Sequence, residues 1–555
     1  MKPKRIAIIG AGPSGLVTAK ELREQGHQPV CFERSAGPGG VFRHDEASGA
    51  VWPTCRLTSS GTLTAFSDYP VSPDRRDHMA VGDYVDYLIE YARAFGVEEA
   101  LRFGETVDSV VRDPSGGWMV STSSTAGSNT GHFDAVAVCS GVHQHPYLPD
   151  LPGLGEFAGT VLHSSRFRGG EQVSGKRVLI VGAGESGADI VAESARLASQ
   201  TVLSLRRGVA VVPRYQFGRP RDYLTSRLIN SPAAWIFQTR NPEDDEKRKV
   251  YRRAFLPVVV LDKCLQVMFH QLWERLPLLR SRSWRQVRAN LAAEKLKRQL
   301  LMESGGTMQE QFGTKDDTFV YALARGDCKA APALVRFEAR EAVFADGSRF
   351  APDTVIFCTG YETKVPYLDE AIAGVPRYLH TFVPGQGGSL AFIGFVRPGF
   401  GAIPPLSELQ ARWFAQVQSG LLSLPGEDAM RASIAEWSER HRRQFRAVGD
   451  RLAHLVDYTA FCDELARQVG CLPSRANLQR ESLRFRRRFF SGPFVAAQFR
   501  LVGPGAKPDL ARRVIEALPI AHPWPQHLSL WLRWRLSRIL HRRLGPDYAP
   551  KLSVN

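Results

Sequence analysis

The chain has 555 residues, is 43% hydrophobic and 23% charged, and carries a formal net charge of +16. That length buries the cores of two or three domains, and the composition excludes a disordered or fibrous protein. The basic excess favours anionic partners, whether nucleotide phosphates, nucleic acid or lipid headgroups. Cys31, Cys55, Cys139, Cys264, Cys328, Cys358, Cys462 and Cys471 show no CxxC spacing and have no histidine-rich companion. This argues against a disulfide framework and a metal site, and for a reducing compartment. Met1-Lys2-Pro3-Lys4-Arg5 leads straight into the first predicted strand, leaving no room for a secretory signal. No run of 18 uncharged apolar residues occurs, so no spanning helix is expected. The expected location is the cytoplasm or the cytosolic face of a membrane.

In chain order, the apolar run Ile6–Ile9 reads as a buried strand and opens into Gly10-Ala11-Gly12-Pro13-Ser14-Gly15. In such a fingerprint the first glycine permits the tight turn. The second lets a pyrophosphate approach the backbone, and the third packs helix on strand. The helix N-terminus then faces the negative charge. The next strand, Pro29–Phe32, ends at Glu33, 23 residues beyond Gly10. A carboxylate there accepts ribose hydroxyls and repels a 2′-phosphate. A Gly-rich turn follows at Gly37–Gly40, then a helix around Tyr84–Phe95 and further strands. The buried strand Phe133–Cys139 ends at Ser140-Gly141, and Pro146, Pro149 and Pro152 punctuate a crossing.

A second strand-flanked fingerprint, Gly182-Ala183-Gly184-Glu185-Ser186-Gly187, follows Val178–Val181. Its second strand, Thr201–Ser204, runs into Arg206-Arg207, and Arg206 lies 24 residues beyond Gly182. No acid stands there. A guanidinium pair beside the Ser204 hydroxyl suits a 2′-phosphate. One chain therefore binds two dinucleotides, FAD at the first fingerprint and NADPH at the second.

The fold class expected is α/β, with two Rossmann-like dinucleotide-binding domains and a helical insertion in the second. Residues 1–153 form the first part of the FAD domain and 154–334 the NADPH domain. The insertion spans about 216–312, rich in Arg and Lys with Trp235, Trp273 and Trp284. Residues 335–520 return to the FAD domain, with a buried strand at Thr354–Phe357. Residues 521–555 form a basic tail. Within it, 528–544 holds five arginines, two tryptophans and no acid. Such a segment suits an interfacial helix on anionic lipid or a helix packed on the protein with a solvated basic face. No nucleic-acid recognition fold appears, so no nucleic-acid partner is expected.

Between the fingerprints, Phe157-Ala158-Gly159-Thr160-Val161-Leu162-His163-Ser164-Ser165-Arg166-Phe167 resembles the FxGxxxHxxx(Y/F) signature of the flavin-containing monooxygenases. The resemblance runs from residue 5 to about 516. It includes Gly39–Phe42, Phe66–Pro70, Val138–Gly141, Thr359–Tyr361, Ile393–Val396, Asp457-Tyr458 and Gln498–Gly505. The chain looks like the dimethylaniline N-oxide-forming branch of these class B flavoprotein monooxygenases. The resemblance implies that NADPH reduces the flavin, oxygen adds at C4a, and NADP⁺ stays bound to shield the hydroperoxide. A soft nucleophile, amine nitrogen or sulfur of a small molecule, then takes the distal oxygen. The cofactor carries the chemistry while the protein positions it and excludes water. The alternative is a Baeyer–Villiger-type ketone oxygenase or an uncoupled NADPH oxidase, although Phe167 and Arg168 favour heteroatom oxygenation. A non-catalytic module is disfavoured by the intact second fingerprint.

Carried onto this sequence, the resemblance puts Gly10, Gly12, Pro13, Ser14, Gly15, Glu33, Gly40, Val41, Phe42, Thr58, Ser59, Val107 and Ser140 at FAD. It puts Gly182, Gly184, Ser186, Gly187, Ala188, Asp189, Ser204, Arg206 and Arg207 at NADPH. His163 reads as a structural histidine anchoring the interdomain linker. Thr58 is the catalytic candidate. It stands where most relatives carry asparagine, offering one hydroxyl in place of an amide that both donates and accepts. Uncoupled peroxide release is the expected consequence. Phe42 replaces the family's Trp. The sequence leaves the substrate and the oligomeric state open.

Overall fold

A computed structural model describes residues 2–44, 50–216, 218–230, 284–308, 310–446 and 454–522, with isolated positions elsewhere. Two five-stranded parallel sheets organise them. In the first, the order is Leu390–Phe392, Ala135–Val138, Arg5–Ile9, Gln28–Glu33 and Leu101–Phe103. In the second it is Lys329–Ala331, Gln200–Ser204, Arg177–Val181, Thr354–Phe357 and Thr160–His163. The central strands read as unbroken apolar runs because both faces are covered. Ile6, Ile8, Val178 and Ile180 are all fully buried. Each such side chain stabilises the fold by about 1.5–3 kcal/mol relative to exposure.

In each sheet the chain leaves the central strand to one side and returns later on the other. That strand reversal opens a crevice at the carboxyl ends of the strands, the place where an α/β sheet takes its ligand. The registers match. Ile9 lies between Phe32 and Val138, and Val181 lies between Ser204 and Phe357. Antiparallel meanders fill the connections, Thr106–Arg112, Trp118–Ser124 and Gly127–Phe133 in one and Leu334–Glu338, Glu341–Phe344 and Arg349–Phe350 in the other.

The strand Thr354–Phe357, placed by sequence in the returning first domain, pairs inside the second sheet with Arg177–Val181 and Thr160–His163. The chain rejoins the first sheet only at Leu390. A boundary at 335 therefore falls inside the second sheet's own connection. A uniformly apolar parallel strand carries no mark of which sheet receives it.

Helix Pro13–Glu24 lies against helix Ile403–Gln418, with the Ser14 and Ser407 hydroxyls 2.9 Å apart. Beneath them is a buried charge cluster. Arg500 is fully buried and bonds Glu21 at 2.8 Å, Glu408 at 2.7 Å and Asp68 at 3.2 Å. Lys20 pairs with Asp68 at 2.5 Å. Despite burial, the Arg500 and Lys20 charges pull the Asp68 carboxyl down to about 2. Removing one member of such a cluster destabilises by about 3–5 kcal/mol, because an uncompensated charge is left inside.

Most of the expected insertion, 231–263 and 265–283, lies outside the described residues. Its last helix, Trp284–Glu303, is described. Of the tail segment 528–544, only positions 528, 530–532 and 535 are described, and they are helical. Leu530 is buried against Leu228, whereas Trp531 is exposed beneath the Arg535 guanidinium at 5.1 Å. Among the described residues no helix is long and apolar enough to cross a membrane.

Candidate active site

Both fingerprints open into one cleft of about 920 Å³. At the first, Gly10 has φ +100, and a Cβ there would stand 2.9 Å from the Cys139 carbonyl oxygen. Gly40, at φ +56, passes so close that its own Cβ would meet the Gly12 Cα at 2.9 Å. A Cβ on Gly15 would overlap the Gly10 carbonyl oxygen. The result is a bare backbone floor at the start of helix Pro13–Glu24, a shape that fits a dinucleotide pyrophosphate. Glu33 ends the neighbouring strand. Its carboxylate accepts the Ala11 N–H at 2.8 Å, the Ser35 N–H at 2.9 Å and the Ser35 hydroxyl at 2.6 Å. These bonds fix it at the cleft wall with lone pairs left for ribose hydroxyls.

Of the residues expected at FAD, Gly10, Gly12, Pro13, Ser14, Glu33, Gly40, Val41, Phe42, Thr58, Ser59, Val107 and Ser140 line the cleft. Gly15 lies beneath it and acts through packing. Phe42 meets Tyr84 edge-on at 4.8 Å, and the Ser140 hydroxyl lies 2.8 Å from that of Tyr367. Ser59 is tied to Thr64 at 2.8 Å. Thr58 is half-buried in the cleft wall, and among the described residues no hydrogen bond holds its hydroxyl. The loop carrying it is pinned from below, where Asp222 accepts the Ser60 N–H at 2.6 Å.

At the second fingerprint Gly184, Ser186, Asp189, Arg206 and Arg207 line the cleft. Gly182 and Gly187 repeat the turn and the helix packing, and Ala188 is buried beneath. Ser204 is a correction. Its hydroxyl donates to the Pro332 carbonyl at 2.7 Å and accepts the Leu334 N–H at 3.1 Å, tying two strand ends together. Buried in that role, it faces away from the cleft. Asp189 is also engaged, accepting Arg214 at 2.6 Å. Burial, then the hydrogen bond that its protonated form donates to Asp316, drives its carboxyl well above the usual range. Arg206 and Arg207 are exposed at the rim.

Sequence reasoning missed several partners. Lys315 neutralises Glu185 at the start of the second helix, its N–H reaching Glu185 at 3.0 Å and its ammonium at 3.2 Å. Glu193 accepts Trp52 Nε1 at 3.1 Å and the Thr54 hydroxyl at 2.9 Å, joining the two nucleotide folds. Trp52 in turn meets Phe167 edge-on at 5.2 Å. No local signal announces these pairs, which lie 115 to 141 residues apart in sequence. His163 is buried outside the cleft lining. Nδ1 accepts the Ser165 N–H at 3.1 Å, leaving Nε2 to donate to the Gly360 carbonyl at 3.0 Å. Burial lowers its pKa. These contacts anchor the linker.

Two parallel nucleotide folds facing one cleft define a two-dinucleotide flavoprotein oxidoreductase. The Flavin-binding monooxygenase-like family matches residues 3–243 and 257–518, and the chain belongs to that family. It is an FAD- and NADPH-dependent monooxygenase. A 4-hydroxybenzoate brominase (decarboxylating) of Pseudoalteromonas luteoviolacea is 33% identical over 550 residues, covering 97% of this chain and 98% of that one. Flavin-containing monooxygenase 5 of Homo sapiens is 32% identical over 533 residues, covering 93% and 92%. Among solved structures, cyclohexanone monooxygenase from Rhodococcus bound to NADP⁺ shares the fold. Its TM-score is 0.60 at 18% identity, over 84% of this chain and 98% of that one.

Proposed function

We propose that the chain oxygenates a soft nucleophile of a small molecule, amine nitrogen or sulfur, through a C4a-hydroperoxyflavin. The observation that supports this reading is the single cleft into which both fingerprints open. When bound, the flavin takes reducing equivalents from NADPH and activates oxygen. The chain's own residues bind and orient. Gly12 and Gly40 leave the FAD pyrophosphate its backbone floor, and Glu33 receives the ribose. Arg206 and Arg207 meet the 2′-phosphate of NADPH from the rim. Thr58 contributes one hydroxyl to the cleft. Incubation with NADPH and N,N-dimethylaniline or a thioether tests it by mass analysis of the products. NADPH oxidation without any N-oxide or S-oxide would exclude the reading.

A second reading takes bromide as the soft nucleophile and a phenolic acid as the acceptor. It rests on the brominase relatives, which align along 97% of this chain. Bromide added with 4-hydroxybenzoate and NADPH should then yield bromophenols. We also assign peripheral membrane attachment to 528–544, where anionic headgroups attract each arginine by about 1 kcal/mol. Co-sedimentation with anionic liposomes at low salt, lost at high salt, is the expected result.

A further inference from the structure

Among the described residues four carboxylates line the cleft, and each already has a partner. Glu33 is held by Ala11 and Ser35, Glu185 by Lys315, Asp189 by Arg214, and Glu105 accepts the Thr122 hydroxyl at 3.4 Å. Arg397 also lines the cleft. Arg397 follows the strand Leu390–Phe392, and its backbone N–H is fixed to the His454 carbonyl at 2.9 Å. Its guanidinium lies 3.9 Å from the centre of the Phe312 ring. Among the described residues it makes no ion pair.

The surroundings make that arrangement costly. The Lys315 ammonium sits 4.4 Å from the same Phe312 ring, so a second cation is close. Burial pulls the Arg397 pKa down, and Glu185 opposes that only from a distance. His143 and His454 line the same sector. Burial, then the Arg397 charge, pushes them to about 3 and about 4, so both are neutral at ordinary pH. Val448 and Leu452 complete an apolar wall. A half-buried guanidinium with unused donors, stacked on an aromatic ring, is poised for a planar bidentate acceptor. The coenzyme groups have other receivers. The helix starts face the pyrophosphates, Glu33 faces the ribose, and Arg206 and Arg207 face the 2′-phosphate.

We propose that Arg397 anchors the carboxylate of an aromatic substrate, held against Phe312 in the sector that His143 and His454 close. This rests on the reading of the cleft as the oxygenation site and names the class of substrate it takes. The flat partner ring and the two neutral imidazoles admit an arene. The Arg397 guanidinium then fixes the carboxylate end of it.

The test uses the FAD-loaded, NADP⁺-saturated protein and calorimetric titration with benzoate, phenylacetate, 3-phenylpropionate and their primary amides. At least one acid should bind the wild type roughly ten- to a hundred-fold more tightly than its amide, as expected for a charge-assisted bond to an anion. Arg397→Gln should erase that preference, and Arg397→Lys should retain part of it. No acid preferred in the wild type, or a preference surviving in Arg397→Gln, would overturn the proposal. So would an equal loss of NADP⁺ affinity in Arg397→Gln, which would make Arg397 a coenzyme contact. If Arg397→Gln lost its flavin, the wild-type pairs and Arg397→Lys would decide. Binding is read without turnover, so a protein that binds acids yet oxygenates nothing would sink the functional reading and leave this one standing.

Discussion

Gly10 and Gly182 share φ +100, and Gly12 and Gly184 share an extended backbone with ψ −174 and −170. Even the carbonyl facing the first glycine is matched, Cys139 in one fold and Cys358 in the other. What surrounds the turns differs. A Cβ on Gly12 would meet the Gly40 Cα at 3.5 Å, whereas one on Gly184 would meet nothing within 4 Å. The first helix begins with Pro13 and the second with Glu185, whose charge Lys315 cancels. The strand beside the central one ends in buried Glu33 in the first fold, and in the second it ends at Ser204 and leads into exposed Arg206 and Arg207. One turn is roofed and the other open, which suits a retained prosthetic group and an exchanging coenzyme. The same backbone thus stands in two different surroundings, set by its neighbours.

The sharpest way to break this comparison is a paired substitution. Gly12→Val should yield colourless protein, because the branched side chain fills the space between Gly12 and Gly40. Gly184→Val should keep full flavin content and lose NADPH affinity by about a hundred-fold or more. The ratio of flavin to protein absorbance decides, and a yellow Gly12→Val would place FAD elsewhere. Next in size is Arg206→Ala. Losing an arginine–phosphate contact removes about 1.5–3 kcal/mol, roughly ten- to a hundred-fold in NADPH affinity. Values of kcat/KM for NADPH and NADH should converge in the variant, and equal values in the wild type would refute the assignment.

Lys315→Met sharpens the contrast at the helix starts. It leaves the Glu185 carboxylate uncompensated beside the second helix N-terminus, where a pyrophosphate must land. NADPH KM should rise about five- to tenfold, on the order of 1 kcal/mol, with flavin content unchanged. Smallest is Thr58→Asn, in the part of the cleft both folds share. An added hydrogen-bonding group is worth about 0.5–1.5 kcal/mol. Peroxide released per NADPH should fall roughly two- to tenfold. An unchanged yield would remove Thr58 from the catalytic role.

Much of this was legible because backbone chemistry writes itself into sequence. A turn at φ +100 with a carbonyl 2.9 Å from the missing Cβ admits only glycine, so Gly10 and Gly182 announce themselves. The strand ends Glu33 and Arg206 follow at fixed distance for the same reason. Ser204 misled, because a hydroxyl at a strand end serves a neighbouring strand as readily as a ligand. Thr354–Phe357 misled because an apolar parallel strand names no partner. Lys315, Glu193 and Arg397 were silent. Their roles come from contacts across the fold, and a lysine or arginine far from any motif reads as a solvated charge.

The buried cluster around Arg500 bears on the order in which the molecule is made. Helix Pro13–Glu24 leaves the ribosome early, yet Glu21 and Asp68 lack their Arg500 partner until residue 500 arrives, and the first sheet lacks its edge until Leu390–Phe392. At about 5–20 residues per second that wait is roughly half a minute to a minute and a half. The second sheet closes within residues 160–357 and needs no such patience. Nascent chains arrested just past residue 360 should therefore hold a formed coenzyme fold beside an unfinished flavin fold. Limited proteolysis of such chains would show residues 1–30 still open to cleavage. On that order flavin loading is expected to be one of the last events in the birth of the enzyme, although its fingerprint is among the first residues made.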